Sequence, residues 1–173
     1  MHSVTVKDVA NAFIYFAEKE THHKRDLTEA VLYNMIYLAE GWYMSLYESN
    51  KMFDEKCCAD IFSPRLMYPD LHTTLEFRMP ATTVIRPIPF MQTYVSRDGI
   101  ERQKAHKVQD KKLLAFLKNV WNVYKFYTYS ELNNIVGRSD RVVTVIHEYQ
   151  PGDKEVFMDE CLVEIPKLEI REY

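Results

Sequence analysis

A mainly α-helical fold, one compact domain around a long central helix, is predicted for this 173-residue chain from three observations. Glycine is scarce, with 4 residues where ordinary usage of about 7% would give roughly 12. Phosphate-cradling loops and turn-rich β-sandwiches draw on glycine, so both are disfavoured. Apolar residues recur at helical spacing in separate stretches, and hydroxyl or carboxylate residues suited to capping stand just before several of them. The composition, 47% hydrophobic and 27% charged, excludes a disordered chain. A chain of this size buries about 70% of its unfolded surface, so a core requires neither metal nor disulfide.

Val6, Val9, Ala10, Phe13 and Ala17 mark one face of a first helix over Val6 to Glu20. The polar run from Thr21 to Asp26 breaks that period and reads as a loop. Thr28 is the expected N-cap of the next helix, with Glu29 in the first turn where the dipole favours an anion. That helix runs to about Tyr47, and its apolar positions, among them Val31, Leu32, Met35, Ile36, Ala39 and Trp42, cover two adjacent stripes. It is therefore the expected central element, with Ile36 and Trp42 largely buried.

From Glu48 to Gln109 the pattern is less regular. Phe62-Ser63-Pro64 reads as a turn, with Pro64 opening a helix before Leu66, Tyr68 and Leu71 that Pro69 shortens or kinks. Thr82 to Val95, punctuated by Pro87 and Pro89, suggests extended chain and at most an edge strand. Asp98-Gly99 is a hairpin signal, placing a short β-hairpin near residues 90–104. Asp110 is a candidate cap for a helix whose buried face carries Leu113, Leu117, Val120, Trp121 and Tyr124. Thr128 with Glu131 three residues on fits a capping box, and Gly137 ends that helix. Arg141 to Tyr149 is strand-prone yet ambiguous, Gln150 to Asp153 is a turn, and Val156 to Val163 suits a last short helix. No repeat, low-complexity tract or linker is visible.

Several of these blocks, in this order, resemble the Panacea domain, a SocA-like, phage-associated antitoxin family. Ala10-Asn11-Ala12-Phe13-Ile14 matches its first-helix pattern. Leu27-Thr28 followed by Tyr37-Leu38-Ala39-Glu40-Gly41-Trp42 matches the second, and Met52-Phe53-Asp54 the step after it. Tyr129, Ser130, Glu131 and Leu132 stand in the places of a later helix. The likeness covers about 6–64 and 110–163, roughly two-thirds of the chain. Asp60-Ile61-Phe62-Ser63-Pro64 departs from it by losing a Trp and a Gly, and 73–108 has no counterpart. The resemblance implies a helical domain without catalysis that binds another protein, usually a cognate toxin, in a bacterial or phage-infected cell.

The chemistry-bearing residues point the same way. His22-His23 reads as a solvated loop pair, and His72, His106 and His147 are too far apart in sequence for a local metal site. Cys57 and Cys58 are adjacent, which disfavours a bridge, and three cysteines with Cys161 fit a reduced cytoplasm. No nucleophile motif or nucleotide fingerprint occurs, and Cys161 with His147 makes a poor catalytic couple. No enzyme activity, cofactor or metal is expected. The start lacks the pattern of a signal peptide, and no apolar run suits a membrane span.

Charge is uneven. From Arg97 to Lys125 eight Lys or Arg face three acids, about +5, whereas from Asp140 onward nine acids face four bases, about −5. The acidic end suits a basic partner such as a nucleic-acid-handling toxin, which makes Glu155, Asp159, Glu160 and Glu164 the expected partner-binding residues. The basic 97–112 segment lacks interleaved aromatics and any recognisable helix-turn-helix, so direct nucleic-acid binding is not expected. The function expected is neutralisation of a partner protein, as an antitoxin. The alternatives are a phage-encoded inhibitor of a host defence complex, such as an anti-CRISPR, and a DNA-binding repressor.

Overall fold

Thr5 opens the first helix, α1 (Val6–Lys19), through a reciprocal cap that the periodicity alone did not reveal. Its hydroxyl accepts from the Asp8 N–H at 3.3 Å, while the Thr5 N–H donates to the Asp8 carboxylate at 2.9 Å. Two backbone donors of the first turn are thereby satisfied, with a carboxylate at the positive end of the dipole. In this computed structural model the described residues are 3–20, 27–47, 51–55, 57–59, 66–76 and 90–136. Helices account for 59% of them, which makes the fold mainly α, as expected.

The second helix, α2 (Glu29–Leu46), begins at Thr28, whose hydroxyl accepts the Val31 N–H at 3.4 Å. Every residue from 31 to 41 is buried, so the two-stripe pattern marks a helix enclosed on all sides. Its far end differs from expectation. Trp42 is only half-buried, although its indole N–H donates inward to the fully buried Tyr124 hydroxyl at 2.8 Å.

The next segment corrects the sequence reading. Leu66 and Met67 are not helical: they form a short strand, β2 (Leu66–Met67), antiparallel to β1 (Cys58–Ala59) with Cys58 opposite Met67. The helix starts later, at Pro69, giving α3 (Pro69–Glu76). The proline expected to spoil a helix instead begins one, at the position where its missing N–H costs nothing. The expected helix start at Pro64 lies outside the described residues.

The hairpin is present as β3 (Met91–Val95) and β4 (Glu101–Ala105), in a register that pairs Gln92 with Lys104 and Tyr94 with Arg102. Gly99 at its turn has φ +77°, a left-handed conformation that strains residues bearing a Cβ. Asp110 then caps α4 (Lys111–Tyr124), accepting from the Lys112 and Leu113 N–H groups at 2.7 and 3.3 Å.

Thr128 and Glu131 form the expected capping box of α5 (Tyr129–Val136): the Thr128 N–H donates to the carboxylate at 2.6 Å, and the Glu131 N–H to the hydroxyl at 3.2 Å. Thr128→Ala is expected to lower the unfolding free energy by about 1 kcal/mol, and Thr128→Ser to change it little. Equal losses for the two variants in urea titrations would remove the role of the cap. Gly137, the expected terminator, lies outside the described residues.

α2 packs against α1, α4 and α5, and α1 also packs against α3 and α4. The fully buried rings of Phe13 and Trp121 meet 6.5 Å apart between α1 and α4. At the C-terminal ends of these two helices Lys125 donates to Glu20 at 3.0 Å and holds its carboxyl below the usual range. Among the described residues no helix is long and apolar enough to cross a membrane.

Candidate functional site: a ribbon clamped to the first helix

Asparagine is a poor choice inside an apolar helix face, yet Asn11 of α1 is 5% exposed, between the buried Ala10 and Ala12. Its amide explains the choice. Nδ2 donates to the carbonyls of Phe90 and His106, each at 2.9 Å, and the His106 N–H donates to Phe90 O at 3.0 Å. These are the residues that flank the two strands, so one side chain holds both legs of the hairpin. Phe90 anchors the same point, buried to 1% exposure. His106 Nδ1 lies 3.3 Å from the Asp8 carboxylate and 3.5 Å from the Thr5 hydroxyl, bringing the hairpin base onto the α1 cap.

Beyond that base the ribbon leaves the core. Every residue from 91 to 104 is exposed or only partly buried. Four of the nine large hydrophobic residues exposed among the described ones, Met91, Tyr94, Val95 and Ile100, fall between 91 and 100. Strand alternation sorts them by face. One face carries Met91, Thr93 and Val95 opposite Ala105, Gln103 and Glu101; the other carries Gln92 and Tyr94 opposite Lys104 and Arg102. The Lys104 ammonium lies 5.1 Å from the Tyr94 ring centre. At the turn, Ser96 donates to Asp98, which holds that carboxyl below its ordinary range, and Arg102 donates to it at 2.7 Å.

A second polar group sits under α2. The Glu29 carboxylate accepts the Tyr33 hydroxyl at 2.5 Å and lies 2.6 Å from His72 Nδ1 on α3. Burial, reinforced by Glu29, pushes the Tyr33 phenol far above its ordinary range. Tyr68 is raised in the same way by its enclosure. Tyr68 meets Tyr33 at a tilt and Phe53 edge to face, with ring centres 5.9 and 6.1 Å apart, so the two phenols are part of the core packing.

The structure thus pairs His72 and His106 each with a carboxylate on a helix rather than with one another. Among the described residues no three His, Cys, Asp or Glu side chains are placed to hold a metal ion together. Cys57 is buried. The expected partner-binding residues Glu155, Asp159, Glu160 and Glu164, and with them His22, His23, His147 and Cys161, lie outside the described residues. The clamp was missed in sequence because its partners are backbone carbonyls 79 and 95 residues away. Its one local signal was a polar amide at a core position of the first helix.

What fold and site define together is a mainly helical protein that presents a clamped two-stranded ribbon. Compared with known protein families, with curated proteins and with solved structures, the chain matches none.

Proposed function

We propose that this chain is a binding protein that neutralises a partner protein, in the manner of an antitoxin, and that the ribbon is its contact element. The observation that carries this reading is the exposure of Met91 and Val95, 40% and 66%, on one face of a ribbon clamped at its base. Clustered exposed apolar side chains mark association surfaces, and a ribbon anchored through buried hydrogen bonds loses little further entropy on binding. The Panacea resemblance supplies the kind of partner, a toxin. Glu155, Asp159, Glu160 and Glu164 supply acid that steers a basic partner toward the complex.

The test begins with the reading frames beside the gene. One of them, expressed alone, is expected to arrest growth, and co-expression of this chain to restore it. A Met91→Asp, Val95→Asp variant keeps its circular dichroism spectrum but fails to restore growth. With the purified pair, charge reversal of Asp159 and Glu160 slows association at low salt and leaves unfolding stability unchanged. Rescue that is indifferent to the ribbon variant would move the interface elsewhere. A chain that rescues no neighbouring frame yet blocks a host defence complex would favour the inhibitor reading.

A further inference from the structure

The opposite face of the ribbon has a different chemistry. Arg102 stands across from Tyr94, and Lys104 sits diagonally from it, with its ammonium 5.1 Å from the ring centre. Tyr94 is 38% exposed, and neither strand places a carboxylate on this face. The positive charge continues past both ends of the strands. Arg97 is exposed at the turn, Lys107 just beyond the base, and Lys111 and Lys112 at the start of α4. Between Arg97 and Lys112 six Lys or Arg face three acids, Asp98, Glu101 and Asp110. Asp110 is engaged in capping α4, and Asp98 lies at the turn, bound to Ser96 and Arg102. Glu101 pairs with Val95 and so lies on the other face.

The aromatic that the sequence of the basic stretch lacked therefore comes from the neighbouring strand. We propose that the face bearing Tyr94, Arg102 and Lys104 binds single-stranded nucleic acid. Phosphates pair with Lys104 and the cations at either end of the strands, and with Arg102 where phosphate replaces its Asp98 partner, while an unpaired base stacks on the Tyr94 ring. Cations flanking an exposed ring are the elements that single-strand binding requires, and the ring distinguishes this ligand from an acidic polypeptide, which gains nothing from stacking. A base paired within a duplex offers no free face to the ring, so the single strand is the expected form. This site is distinct from the Met91 and Val95 face assigned to a protein partner, and each is tested without the other.

Fluorescence anisotropy with a labelled oligo-dT of about 12 nucleotides, within the span of such sites, reads the binding directly. Binding is expected to weaken steeply between roughly 50 and 200 mM salt, and Lys104→Ala to reduce the logarithmic salt slope by about 0.7. Tyr94→Ala is expected to weaken binding on the order of tenfold, and Tyr94→Phe to retain it. These side chains are exposed, so the variants keep the wild-type unfolding midpoint. Three results would overturn the proposal: no binding at 50 mM salt, a Tyr94→Ala variant that binds as wild type, or poly-glutamate displacing the probe as well as unlabelled oligo-dT does. Tighter binding of a duplex of the same length would overturn the single-strand assignment.

Discussion

An Ile36→Ala variant unfolds with a free energy about 2–5 kcal/mol below that of the wild type, the range measured for large-to-small changes in well-packed cores. Ile36 is 0% exposed and lies midway along a stretch of α2 in which every residue is buried. Its surroundings belong to a helix that packs against α1, α4 and α5 at once, so collapse around the lost atoms would require several elements to move together. That places the cost in the upper part of the range. Because whole domains are stable by only about 5–15 kcal/mol, the loss is a large share of the total. Urea unfolding followed by circular dichroism measures it, with Glu18→Ala at an exposed position of α1 as the control, expected to stay within about 0.5 kcal/mol. A loss below about 1 kcal/mol for Ile36→Ala would mean that α2 is peripheral.

The helices were legible because their signals are local. The spacing of Val6, Val9, Ala10, Phe13 and Ala17 describes one buried face of α1, and Thr28, Asp110 and Thr128 cap the helices they precede. Asp98-Gly99 located the hairpin for the same reason, since the turn is set by its own residues. Where reading failed, two local rules competed. Pro69 satisfies both the rule against proline inside a helix and the preference for it at the first position, and only the pairing of Leu66–Met67 with Cys58–Ala59 decides between them. Trp42 follows the apolar stripe and its N–H reaches the buried Tyr124 hydroxyl, yet the ring stays half-buried at the edge of the core.

The candidate site was far less legible. Arg102 and Lys104 appear in the sequence as part of a charged run, and Tyr94 eight residues earlier belongs to a different segment. Cross-strand register joins them, and register is a property of the pairing rather than of either strand. The acids Glu155, Asp159, Glu160 and Glu164 rest on charge pattern and resemblance, and the ribbon rests on geometry. In the proposed complex the two would bear on different steps of association, since charged side chains chiefly alter the on-rate while apolar contacts govern dissociation.

Asn11 joins fold to site, and its replacement is expected to separate the two. In Asn11→Ala the His106 carbonyl loses its donor from α1, and the Phe90 carbonyl keeps only the His106 N–H. The orphaned His106 carbonyl is part-buried, so its cost falls toward the lower end of the roughly 1–3 kcal/mol of an unsatisfied buried acceptor. The loss falls at the hairpin base, whereas α2 and α4 keep their contacts. Two-stranded ribbons are marginal on their own, so the hairpin depends on this anchorage more than the helices do. Hydrogen exchange is therefore expected to show cross-strand amides between 92 and 104 losing more protection than amides at the centre of α2. Asn11→Asp should be worse than Ala, because it turns an acceptor-only carboxylate toward two carbonyl oxygens. Protection that falls equally in both regions would mean that Asn11 serves the core as a whole. Unchanged protection in the ribbon would mean that Phe90 and the contacts of His106 with Asp8 and Thr5 hold it to α1 without Asn11.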